Sequence, residues 1–293
     1  MDTFVLIAIT GVGLGALFFL VASGLSLIYG LMGVLNFAHG TFLIVGAFSG
    51  LWISTKVFTT ANTWTFLGAM VFGGIAGGVF ALVVERLVIT RLYERHIEQA
   101  LVTVGVALVV GAILSGWFGN DPRLIPTPHW FINTVTIGKA FIPVDRFLYI
   151  GASLVLFILL ASILRFTRIG LIIRAGVENR AMVGALGINV RLAFSAVFFL
   201  GGFAAGLGGV LVGAYQSGVT PLMSGSWLIY GFIVVVVGGM GSLGGSALAA
   251  LLIGVVDQFT NYYTPGLGDF VIVFLLAAVL LTRPQGLLGK VGR

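Results

Sequence analysis

The sequence predicts an all-α integral membrane protein, a polytopic helical bundle of about eight to nine crossings with broken or re-entrant segments. Three observations carry that prediction. Of the 293 residues 59% are hydrophobic and only 8% charged, with a mean hydropathy of +1.16, too few charges to cover a water-soluble globule. The apolar stretches are continuous runs of helical length, whereas a transmembrane β-barrel would alternate polar and apolar residues over about ten-residue strands. Glycine supplies 44 residues, with pairs at four-residue spacing (Gly73/Gly77, Gly74/Gly78, Gly202/Gly206, Gly209/Gly213). That spacing lets helix backbones approach in lipid, where no hydrophobic force acts between helices.

In chain order, apolar spans are expected at 4–28, 31–53, 65–88, 100–118, 147–164, 192–214, 227–256 and 270–281. One domain, 1–293, holds them all. The start, Met1-Asp2-Thr3, lacks a basic n-region, so no signal peptide is expected to be cleaved. Of 15 Lys and Arg, three groups stand out: Arg86, Arg91 and Arg95; Arg165, Arg168, Arg174, Arg180 and Arg191; and Arg283, Lys290 and Arg293. Under the positive-inside rule these mark cytoplasmic segments. The N-terminus and the proline-rich loop around 119–146 then lie outside, and a loop around 166–191 and the C-terminus lie in the cytoplasm.

That parity fails if 227–256 crosses once. The stretch VVGGMGSLGGSALA (236–249) resolves it, because its glycines allow a break. As one helix the span would run to about 45 Å, well beyond a ~30 Å hydrocarbon core. A pair of half-helices is expected instead, with the break facing the bundle interior, since irregular backbone at membrane depth must be enclosed by protein or cavity.

Little here supports chemistry. The chain has no cysteine, so disulfides and thiolate metal sites are excluded, and His39, His96 and His129 are too scattered for a metal centre. No lysine sits in a phosphate-binding GxxxxGK[ST] loop, so no cofactor is expected on this chain and ATP energy would come through a partner. The positive charge is read as topology, not nucleic-acid binding.

The segment RAGVENRAMVGALGIN (174–189) is polar between two oily runs. Helical spacing puts Ala181, Met182, Ala185 and Leu186 on one face, with Glu178, Asn179 and Arg180 in the first turn and Gly187 as a stop. Such a helix either lies on anionic lipid or docks its small apolar face in a groove of a soluble partner.

Four stretches carry a resemblance: GLSLIYGLMGVLNFAHG (24–40), ERLVITRL (85–92), RIGLIIRAGVENRAMVGALGIN (168–189), and GGMGSLGGSALAALLIG (238–254) with the tail RPQGLLG (283–289). Over nearly its whole length the sequence resembles the permease subunit of bacterial branched-chain amino acid ABC importers, the LivH type. The resemblance implies a coupling helix in which Glu178, Arg180, Ala181, Met182, Ala185 and Gly187 meet the ATPase. It also implies a second, homologous permease subunit, two ATP-binding subunits carrying ATP and Mg, and a periplasmic binding protein. Asn36, His39 and Thr41 interrupt some fifty apolar residues; they either satisfy a helix break or line a translocation path, with Gly239, Gly241 and Ser242 as further candidates. Thr41 departs from the family, which usually has an acid there, so recognition of a solute ammonium at that position is not implied.

The expected function is uptake of branched-chain or related neutral amino acids across the inner membrane. Urea, short amides or small organic acids are alternative solutes. A self-sufficient channel or ion-coupled transporter is disfavoured because the spans hold almost no ionisable residues.

Overall fold

The computed structural model describes residues 2–33, 36–58, 60–92, 95–178, 182–183 and 190–289. Nine membrane-embedded helices and one short amphipathic helix are seen among them. They are α1 (Asp2–Met32), α2 (His39–Lys56), α3 (Thr63–Leu87), α4 (His96–Phe118), α5 (Asp145–Phe166), α6 (Arg168–Glu178), α7 (Val190–Tyr215), α8 (Met223–Gly238), α9 (Leu243–Tyr263) and α10 (Gly268–Thr282). Six of these are long and apolar enough to cross a bilayer by themselves, while α8 and α10 are shorter apolar helices.

Burial sorts the bundle into a centre and a rim. In α7, 72% of the spanning window is buried, against 11% in α4. Leu17, Leu20, Val21 and Ala22 of α1 and Val197, Phe198, Ala204 and Ala205 of α7 form the core. On the rim, Leu101, Leu108 and Trp117 of α4 and Leu154 and Val155 of α5 face outward.

Contacts along α1 give the directions of its neighbours. Phe18 of α1 stacks near Trp227 and Tyr230 at the start of α8, and Gly231 lies against Val21, so α8 runs parallel to α1. Gly30, Gly15 and Gly11 meet Gly241, Leu251 and Val255 in turn, so α9 runs antiparallel. The span 227–256 is broken as expected: it lies in a hairpin of two helices, of 16 and 21 residues, whose turn lies at the C-terminal end of α1.

A correction concerns the span 31–53. The first helix continues to Met32, and the second begins only at His39, because Gly33 (φ 66°) stops α1 and Asn36 caps the break that follows. Another lies in the loop 119–146. Its strands β1 (Thr134–Ile137) and β2 (Ala140–Pro143) pair antiparallel in register Val135↔Ile142. A two-residue turn through Gly138 and Lys139 closes this hairpin, as positive φ at glycine permits. Ala140 and Ile142 are buried, so the hairpin is held by its alternate residues. Such short alternation is hidden in a proline-rich loop.

The glycine pairs do as their spacing predicts, within the chain. α2, α3 and α7 meet backbone to backbone: a methyl on Gly73 would stand 2.7 Å from the carbonyl oxygen of Gly46, and one on Gly77 would stand 2.9 Å from the Cα of Gly206. Side chains of any size would force these helices apart and remove the dispersion contacts along them. Gly206→Val is expected to destabilise the bundle by about 1–3 kcal/mol or more through overpacking. Gly105→Val, where no atom lies within 4 Å, serves as the neutral control, and thermal unfolding of the two purified variants in detergent separates them.

Candidate translocation site and coupling segment

The break between α1 and α2 lies inside the bundle. The imidazole Nε2 of His39 is 2.9 Å from the carbonyl oxygen of Val21, eleven residues short of the end of α1, or about 17 Å along that helix. Four backbone N–H groups at the break have partners. That of Phe37 donates to Thr103 Oγ1 of α4 (3.2 Å), that of Ala38 to Asn36 Oδ1 (3.0 Å), and those of His39 and Thr41 to the carbonyls of Asn36 and Ala38. Water is absent at such depth, so an unpaired group would cost several kcal/mol. This explains why Asn occupies position 36: its short side chain accepts from the second N–H along, as in an Asx turn. Thr41 turns its hydroxyl back onto the Ala38 carbonyl (2.6 Å).

His39 and Thr41 are fully buried, and their bonds go to backbone. Asn36, by contrast, lines a cavity of about 160 Å³ with Leu25, Phe37, Leu228, Ile229 and Phe232. Its Nδ2 is buried with no partner. Because Oδ1 must accept from Ala38, the amide orientation is settled, and two donor hydrogens remain for a transient guest. Among the path candidates, Asn36 alone borders this cavity. The apolar members escaped sequence reasoning because a Leu or Phe facing a cavity looks the same as one facing lipid.

Gly239, Gly241 and Ser242 sit elsewhere, in the α8–α9 turn. Gly239 and Gly241 have φ of 102° and 83°, and Ser242 caps α9 by accepting from Gly245 N–H (3.1 Å). The tail packs on this turn: Leu287 and Leu288 N–H donate to the carbonyls of Val237 and Gly238 (2.8 and 3.0 Å), filling acceptors that the end of α8 leaves open. The glycine break is thus enclosed by the tail at the end of the bundle. It does not face the interior as expected, since Gly30 and residues 286–289 supply the packing there.

The loop expected around 166–191, the candidate coupling segment, opens with a helix. Helix α6 starts at Arg168, with Thr167 as the pivot: its Oγ1 accepts from Gly170 N–H (3.1 Å). Arg174 Nη1 donates to Leu164 O (2.6 Å) and ties α6 to the end of α5. Ile173 is buried while Ile169 and Leu171 are exposed. Met182 is exposed and Val183 buried. Glu178 ends α6, but its side chain, like Arg180, Ala181, Ala185 and Gly187, lies outside the described residues.

One cluster was not foreseen. Glu85, near the end of α3, is 2% exposed and accepts from Ser195 Oγ of α7 (2.9 Å) and Thr90 Oγ1 (3.3 Å). It joins α3 to the first turns of α7, directly after the coupling segment. A glutamate ending an apolar span looks like an ordinary interfacial charge, which is why the sequence alone concealed it.

Residues 7–280 match the family described as branched-chain amino acid transport system / permease component. The chain belongs to that family. It is 27% identical over 295 residues to the Escherichia coli K12 high-affinity branched-chain amino acid transport system permease protein LivH, covering 96% of this chain and 94% of LivH. It is also 28% identical over 301 residues to the LivM permease protein of the same organism, covering 93% of this chain and 68% of LivM. Among solved structures, PsaBC from Streptococcus pneumoniae in complex with Fab is similar with a TM-score of 0.45 at 15% identity, covering 93% of this chain and 89% of that one. This protein is therefore a multi-pass membrane permease component, a transport subunit and not an enzyme.

Within this family member, Thr103 matters because it reaches the break from another helix, α4, and accepts from Phe37 N–H. Thr103→Val keeps the shape but leaves Phe37 N–H unpaired, at an expected cost of about 1–3 kcal/mol. Thr103→Ser, which restores the hydroxyl, should recover the melting temperature in detergent.

Proposed function

We propose that the chain is the permease subunit of an ATP-binding cassette importer in the bacterial cytoplasmic membrane, taking up branched-chain or related neutral amino acids delivered by a periplasmic binding protein. The observation that carries the solute class is the Asn36 cavity. Its five apolar lining residues suit an aliphatic side chain, which urea and short amides lack, and the free Asn36 Nδ2 can donate to a carboxylate. Family membership and similarity to LivH and LivM support the importer reading, and likeness to both supports a companion permease of the same fold.

In this reading the N-terminus lies outside, and the basic loop 166–191 and the C-terminus lie in the cytoplasm. ATP and Mg reside on two partner subunits. Closure of those subunits around ATP displaces the coupling segment, and two routes carry the motion into the membrane. One is Arg174, which holds the end of α5. The other is the direct continuation into α7, joined to α3 by Glu85 and Ser195. Differential contact of the segment with the two ATPase states is what drives the change in access.

Charge reversal, Glu178→Lys with Arg180→Glu, or bulk at Ala181→Trp and Ala185→Trp, should lower leucine uptake by the whole importer by roughly 5–150-fold while membrane insertion stays normal. Uptake at the wild-type rate in these variants would contradict the coupling role. A separate arm reconstitutes this chain alone in proteoliposomes with an ion gradient: no solute accumulation is expected, and accumulation would favour an ion-coupled transporter.

A further inference from the structure

A crevice of about 430 Å³ separates α4 from α2 and α3, lined mainly by aromatic and branched side chains, among them Phe48, Trp52, Phe72, Ile113 and Phe118, with Ser49 as the one hydroxyl. We infer that this crevice binds a membrane phospholipid, with one acyl chain between the helices and the phosphate on Arg123.

The length of the crevice fits an acyl chain. The lining runs from Phe72 to Phe80 on α3 and from Val110 to Phe118 on α4, eight residues on each, or about 12 Å. That approaches the ~15 Å depth of one leaflet's hydrocarbon. Its walls are apolar apart from Ser49, as a polymethylene chain requires. Helix α4 itself buries only Gln99, Thr103 and Leu114, so it is poorly packed on the bundle. A filled crevice restores the dispersion contacts that α4 otherwise forgoes.

The mouth has the chemistry of a headgroup site. Trp52 and Trp117, both exposed, flank it as aromatic residues do at a membrane interface. Arg123 Nε and Nη2 donate to Phe118 O (3.0 and 2.8 Å), and its guanidinium lies 5.4 Å from the Phe118 ring, a ring that lines the crevice. The fork is thereby fixed, with Nη1 left over. Among the described residues the ion pairs are Arg95–Glu98 and Arg146–Asp145, and no carboxylate, Asp121 included, pairs with Arg123. Its full positive charge outweighs the roughly half negative charge at the end of α4, and an arginine held in this way suits a phosphate.

Native mass spectrometry of the assembled importer released from phosphatidylglycerol nanodiscs tests the site, which depends only on the chain lying in a bilayer. Wild type should retain one phospholipid more than Arg123→Gln, whose retention at this site should fall about tenfold. Arg123→Lys should keep most of it, and Ser49→Trp, which fills the crevice, should lose it. Because Arg123 is exposed, its Gln variant keeps the test valid even if Ser49→Trp misfolds. Equal lipid retention in wild type and Arg123→Gln would overturn the inference. So would disulfide capture of Val110→Cys by a cysteine placed on a companion permease, since that would mean a protein helix covers the crevice.

Discussion

A polar backbone group that leaves its helix inside a bilayer has no water to turn to, and this requirement shapes the protein more than any other. Helix α1 ends beside the α8–α9 turn at the end of the bundle, whereas α2 begins within it, with its start alongside Val21. The Asn36 amide, the Thr103 hydroxyl and the carbonyls of Asn36 and Ala38 between them take up the N–H groups set loose there. His39 returns a contact to the middle of α1. The cavity beside Asn36 lies next to these bonds, between Leu25 of α1 and Leu228, Ile229 and Phe232 of α8.

A different solution holds the α8–α9 turn. There the open carbonyls of Val237 and Gly238 are met by the tail, so residues far apart in the chain share one junction. Close approach of Gly30 to Gly241 seats the same turn on α1. Side chains and backbone carbonyls share the work at the first break, whereas the tail's backbone joins the Ser242 cap at the second. The first leaves the Asn36 Nδ2 donor unspent beside a cavity.

Mechanical continuity also follows from packing. Glycines at the crossing of α2, α3 and α7 hold those helices at backbone contact, where little relative sliding is possible without clashes. Glu85 ties α3 to α7 at the end where the coupling segment joins. Displacement of α7 therefore carries α3, and with it α2, which follows directly on the cavity-lining Asn36 and Phe37. Helix α4 stands outside this group, joined to the break through Thr103 and otherwise separated from α2 and α3 by the crevice.

Much of the architecture was legible in the chain alone. Continuous apolar runs gave helical spans, because a bilayer demands length and internal hydrogen bonding, and four-residue glycine spacing announced close helix contacts. What the residues could not disclose was where a uniformly oily run stops being one helix, since the end of α1 at Met32 and the start of α2 at His39 depend on partners from α1 and α4. Nor could they separate cavity-lining Leu228, Ile229 and Phe232 from lipid-facing neighbours of the same kind, or distinguish Glu85 from an interfacial charge. Hydropathy is a property of the residue, but the surface it meets, whether lipid, cavity or another backbone, exists only after the helices have packed.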